Sequence, residues 1–225
     1  RANCPDLRHV VAVGGALGAF DADWPAWLAR HDDKFDPDGT GAGINDSGRS
    51  RLGDWSTMVY DYAWLRWRDP RHAGMVNSSP RQLLTSEAVY FPTRVYEALP
   101  EPAQVTYPST VFQNLGYAIL RDATKFALLD YGPHGGVHGH LDKLNLLLFS
   151  GDELGGEPRF HRYEDPLHGQ WTTQTVAHNT LAVGGRSQQP STGKLLVFDA
   201  APDRLVMRAE AGGSYPGVLL HPTRV

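Results

Sequence analysis

The chain has little cysteine, no long apolar run and no surplus of positive charge. Cys4 is the single cysteine among 225 residues, so a disulfide scaffold is excluded, and its surroundings hold nothing that would activate a thiol. No uncharged apolar stretch approaches the roughly 18 residues that a membrane-spanning helix needs. Lysine and arginine total 21 against 25 aspartates and glutamates, a formal charge of −4, which argues against nucleic acid as a partner. An anionic substrate held by local cations remains compatible with that balance. An initiator methionine is also lacking: Arg1 comes first, no secretory leader follows, and residues 217–225 stop inside what reads as a strand. The expectation is a piece of a longer protein, for which a secreted, periplasmic or cytoplasmic location is not readable. Aromatics, by contrast, are plentiful. Six Trp, nine Tyr and eight Phe exclude a disordered chain and supply a sizeable core.

The texture changes near residue 104. Before it, apolar residues fall at helical spacing: a run over 7–20 behind Asp6, then Trp55, Met58, Val59, Tyr62 and Leu65 behind Asp54, then 80–98 with Pro80 in its first turn. Residues 34–51, rich in Gly, Asp and Ser, read as a long functional loop. After Pro102, short apolar runs at 110–120, 125–130, 143–149, 180–183, 194–198 and 204–209 alternate with turn signals, the spacing of an antiparallel sandwich. Ala201-Pro202-Asp203 reads as a hairpin turn. The predicted organisation is α+β: a helical unit over 1–104 followed by an antiparallel β-sandwich over 105–225.

Six of the ten histidines (His134, His138, His140, His161, His168 and His178) fall within 45 consecutive residues. The segment Tyr131-Gly-Pro-His-Gly-Gly-Val-His-Gly-His-Leu-Asp-Lys-Leu-Asn145 runs into an apolar strand, and its glycines let backbone approach a ligand closely. On an extended segment His138 and His140 share a face, and His178 stands at the start of a further strand. Convergent histidines with carboxylates nearby (Asp142, Glu157, Glu164, Asp165) point to a metal or catalytic centre; the bland alternative is a group of surface-loop histidines. Imidazole and carboxylate ligands suit zinc, with manganese as the other candidate.

These pieces carry a resemblance. Gly132 to Asn145, then Tyr163-Glu-Asp-Pro-Leu-His168, then Trp171 and Thr175-Val-Ala-His-Asn-Thr-Leu181, then Gly184-Gly-Arg-Ser-Gln188 resemble, in order and spacing, the C-terminal part of heparinase II/III-like polysaccharide lyases, in particular their alginate and oligoalginate lyase branch. The resemblance implies the end of an incomplete (α/α) toroid packed on a β-sandwich, with substrate between them. It also implies a structural metal, usually zinc, held by His140, His178 and a carboxylate. The family's aspartate, six residues before a tyrosine, corresponds to Glu157 here, and Asp165 is the alternative third ligand. The toroid's own catalytic Asn/His and Tyr lie upstream of Arg1 on this reading, and the piece alone is expected to be inactive.

Such lyases cleave bonds to uronic acids by β-elimination. The sugar carboxylate must be neutralised, a base must take the C5 proton, and an acid must protonate the leaving oxygen. The resemblance assigns proton transfer to His138 and Tyr163. Lys143, Arg159, Arg162 and Arg186 are the candidate cations for an acidic polysaccharide or oligosaccharide, and Trp171 reads first as a core residue, with stacking on a sugar ring as the alternative. Two other functions stay open: a non-catalytic carbohydrate-binding or scaffold module of the same fold, and a metal-dependent hydrolase in which the histidines activate water. Nothing in the sequence sets the uronate polymer, endo or exo action, or the oligomeric state.

Overall fold

The structure, a computed structural model, describes residues 108–122, 124–150, 153–158, 161–218 and 223–224, together with 40–41, 44–45, 50–51, 68 and 70. The helices expected at 7–20, 55–65 and 80–98, and with them the toroid, lie outside the described residues, as does Arg159. The chain divides into two compact units, residues 1–32 with 51–106 and residues 33–50 with 107–225. The sheets and the histidines belong to the second.

After a two-stranded ladder of Thr40–Gly41 (β1) and Ser50–Arg51 (β2), five strands follow as an antiparallel meander: Thr110–Phe112 (β3), Tyr117–Arg121 (β4), Lys125–Asp130 (β5), Asn145–Ser150 (β6) and Glu153–Gly155 (β7). Lys194–Ala201 (β8), Arg204–Glu210 (β9) and Thr223–Arg224 (β10) form a three-stranded antiparallel sheet in the order β10-β9-β8. The β8–β9 hairpin turns at Pro202-Asp203, where Ala201 pairs with Arg204. Proline pre-sets the turn dihedral, which is why this hairpin is readable from sequence.

Successive side chains of a strand point to opposite faces, and β4 shows the consequence. Ala118 and Leu120 join Leu129, Leu144, Met207 and Ala209 in a cluster that the two larger sheets share. Ile119, between them, faces the other way and packs with Phe126, Leu128 and Leu147, where Ile44 from far upstream adds to the cover. The central strands are thus apolar on both faces. Truncating a fully buried side chain such as Ile119 to alanine costs about 2–5 kcal/mol.

Two strand expectations need correction. The run at 110–120 is two strands, because Gly116 turns the chain with φ +73°. A Cβ on Gly116 would lie 1.9 Å from the Gly132 Cα, so these two glycines let the β3–β4 turn seat directly on the start of the histidine-rich loop. Residues 180–183 form no strand; only an isolated bridge joins Val183 to Arg186. Within that stretch a side chain has taken a backbone group: the Tyr215 hydroxyl donates to the Leu181 carbonyl (2.8 Å).

Candidate metal centre and proton-transfer pair

The histidine-rich loop leaves β5 at Asp130 and returns as β6 at Asn145, and a buried ion cluster ties its two ends together. The Lys143 ammonium donates to Asp130 Oδ2 at 2.9 Å and to Asp142 Oδ1 at 3.3 Å. Burial alone would disfavour the charge on Lys143, but the two carboxylates outweigh it and hold its pKa above the ordinary lysine range. Burial also pushes Asp130 up to about 6, with Asp142 adding repulsion against the attraction of Lys143. Gln188 closes the ring by accepting from Lys143 N–H (2.7 Å) and donating to the Lys143 carbonyl (2.9 Å). This overturns the assignment of Lys143 to substrate: with 3% of its side chain exposed, it is spent inside the protein. Its partner lies thirteen residues back, a distance at which sequence gives no hint of pairing. Arg162 and Arg186 are exposed, as a substrate role requires.

His138 and His140 do not share a face. Gly136–His138 form a 3₁₀ turn, Gly136 having a positive φ, and extended backbone resumes only at Gly139. His138 consequently points to solvent while His140 is 1% exposed. His178 follows a second 3₁₀ turn, Thr175–Ala177, rather than opening a strand. Glu157 comes just after β7. One ligand atom from each of His140, Glu157 and His178 lies within 4.8 Å of the others. Three donors about 2.1 Å from one tetrahedral ion would be about 3.4 Å apart, so a small closure would bring them to that geometry.

The surroundings of this triad suit a cation. His178 Nδ1 is 2.9 Å from Glu157 Oε2, with both side chains at most 2% exposed, yet neither ring nitrogen of His178 makes an aligned hydrogen bond. Burial disfavours a charged His178, but the Glu157 carboxylate, with Asp142 further off, outweighs it and raises its pKa. Burial raises the Tyr117 phenol too, and the charges of Asp130, Asp142 and Glu157 push it the same way. The Lys143 ammonium pairs with two interior carboxylates, Asp130 and Asp142, and a divalent ion on two imidazoles and the third, Glu157, would balance the remaining charge. Asn145, which sequence reasoning did not single out, orients the set: its Nδ2 donates to Glu157 Oε1 while its Oδ1 holds Asn179, next to His178. Asp165, the alternative ligand, instead accepts from Leu167 N–H at 2.9 Å and caps its own turn.

On the exposed side, His138 Nδ1 and the Tyr163 hydroxyl are 2.8 Å apart. Behind Tyr163 stands His168, its ring edge-on at 4.7 Å between centroids, and His168 in turn faces His140 at 6.5 Å. His168 opens a π-turn over His168–Thr172, closed by Thr173 N–H to the His168 carbonyl (3.1 Å), and its Nδ1–H donates to the His161 carbonyl (2.9 Å). Such wide turns recur at functional sites, and no periodicity in the sequence announces one. Trp171, on the same turn, is 44% exposed, so it is not core.

Residues 104–214 match the family model described as Heparinase II/III-like, C-terminal. Every histidine discussed above lies inside that heparinase-like segment. Solved structures agree on the fold. A heparinase III with methylated lysines is similar at a TM-score of 0.60 and 15% identity, over 84% of this chain and 27% of that one. The heparan sulfate lyase HepC from Pedobacter heparinus is similar at 0.58 and 18%, over 84% and 28%. Another heparinase III gives 0.60 and 15%, over 86% and 31%. The chain therefore spans less than a third of the length of the structures it matches. Curated proteins gave no match.

Proposed function

We propose that the chain is part of a polysaccharide lyase that cleaves uronic-acid-containing glycans by β-elimination, with the alginate and oligoalginate branch as the reading favoured by its motifs. The observation that carries this is the 2.8 Å contact between His138 Nδ1 and the Tyr163 hydroxyl on the solvent side of a buried His-Glu-His triad. In the elimination, a base takes the proton from C5, the C4–O bond breaks as the C4=C5 double bond forms, and the departing oxygen gains a proton. His138 and Tyr163 share one hydrogen bond, so a proton accepted by one of them and a proton donated by the other leave the pair's total unchanged. Exposed Arg162 and Arg186 are the cations proposed to meet the sugar carboxylate.

His140, Glu157 and His178 would hold the metal, zinc by ligand preference with manganese as the other candidate. When bound, it would cross-link the β5–β6 loop to the β7–β8 connection, which carries both Glu157 and His178, and balance their buried charge. Incubating the protein with a panel of uronate polymers tests the reading: a lyase releases a 4,5-unsaturated uronate that absorbs in the near ultraviolet. Chain cleavage without that absorbance would mean a hydrolase, and sugar binding without cleavage would mean a scaffold module.

A further inference from the structure

Between β1 and β2, Asn45 reaches the metal centre from 95 residues upstream. Its Oδ1 accepts the backbone N–H of His140 at 2.8 Å. On the other side of the same residue, the His134 ring bonds the His140 carbonyl through Nδ1 at 3.2 Å. A carbonyl can only accept, so His134 carries its hydrogen on Nδ1. Both backbone groups of His140 are therefore held by side chains from elsewhere. The clamp leaves no spare room: a Cβ on Gly139 would come 2.8 Å from the His134 ring and 2.5 Å from Gly135 N.

Two features show that Asn45 is held in place for this contact. Ile44 beside it packs on the cluster of Ile119, Phe126, Leu128 and Leu147. Asn45 itself sits in the left-handed region at φ 55°, a conformation asparagine adopts more readily than most residues because its short side chain is tolerated there.

We propose that Asn45 is a positioning residue of the metal centre, fixing the backbone of the ligand His140 with His134 closing the clamp from the opposite side. The proposal rests on the metal-centre reading above. Outer partners that orient metal ligands typically contribute about 10–100-fold in affinity.

The test uses Zn²⁺ alone as probe, on the whole 225-residue chain, with affinity measured by competition against a chromophoric chelator. Asn45→Gly removes the acceptor and leaves no strain, because glycine occupies positive φ freely. Its zinc affinity should fall by about 10–100-fold. Asn45→Asp keeps an oxygen in the same place and should restore affinity to within about threefold of wild type, which a loop that merely packs would not require. Equal affinity in wild type and Asn45→Gly overturns the clamp while leaving the metal centre standing. A wild-type chain that binds no zinc sinks the metal centre, and the clamp with it. Should Asn45→Gly fail to fold, amide hydrogen exchange in the wild-type chain decides: the His140 N–H must be protected in the folded protein, and fast exchange there overturns the proposal.

Discussion

His138 and His140 are separated by one glycine and occupy different media. His138 rides a 3₁₀ turn in water with a tyrosine hydroxyl as partner, whereas His140 is 1% exposed beside a carboxylate and a second imidazole. Water lets a ring exchange protons with whatever approaches. Burial among oriented donors suits it to hold an ion. The two regions around them, an exposed rim and a buried floor, should therefore fail in different ways when altered.

The largest contrast is expected in turnover. His138→Ala should lower the turnover of the proposed lyase by roughly two to four orders of magnitude while metal content and melting temperature stay near wild type. Tyr163→Phe, which removes one hydroxyl and keeps the ring against His168, should behave alike. His140→Ala should do the reverse in binding terms: metal is lost, and so is the stabilisation it brings, about 4 kcal/mol at a free concentration a thousand times the dissociation constant. Chelation of wild type should reproduce that loss. If His138→Ala also lost its metal, the division between rim and floor would be wrong.

Stability separates the cations next. Lys143→Met leaves Asp130 and Asp142 buried without their ammonium and should destabilise by about 3–5 kcal/mol. Arg162→Met and Arg186→Met, at exposed positions, should change stability by less than about 0.5 kcal/mol and act instead on the substrate's KM. Denaturant melts of the three variants check this. A Lys143→Met protein as stable as wild type would mean that the floor does not need its charge.

How far this contrast is legible in sequence depends on how local its cause is. Proline at the β8–β9 turn and the near-two-residue alternation of β4 act within a few residues, and both can be read directly. Clustering flagged the histidines, and the family resemblance sorted His138 from His140. Spacing alone puts them on one face, because the 3₁₀ turn that carries His138 starts at Gly136 with a positive φ, which the letters do not state. Lys143, Asn145 and Asn45 were out of reach for a different reason. Each takes its role from a partner brought in by the fold: Asp130 thirteen residues away, Glu157 twelve and His140 ninety-five. The expected strand at 180–183 fails similarly, since distant Tyr215 takes the Leu181 carbonyl.

The smallest expected effect sharpens the picture of the floor, and its sign can be worked out. Burial pushes the Asp130 carboxyl up to about 6, above the ordinary aspartate range near 3.8, so the folded protein binds its proton more tightly than the unfolded chain does. The resulting stabilisation is fully present below the unfolded pKa and is lost as pH rises through about 6. Asp130→Asn cannot titrate there, and its Lys143 still has Asp142. The stability of wild type relative to Asp130→Asn should therefore decline between about pH 4 and pH 6, by a few degrees of melting temperature. Thermal melts of both proteins across that range, with metal removed to keep the triad out of the measurement, give the comparison. An advantage that grew with pH instead would mean that the Lys143 ammonium overcomes burial, and that the floor is held by a fully ionised pair.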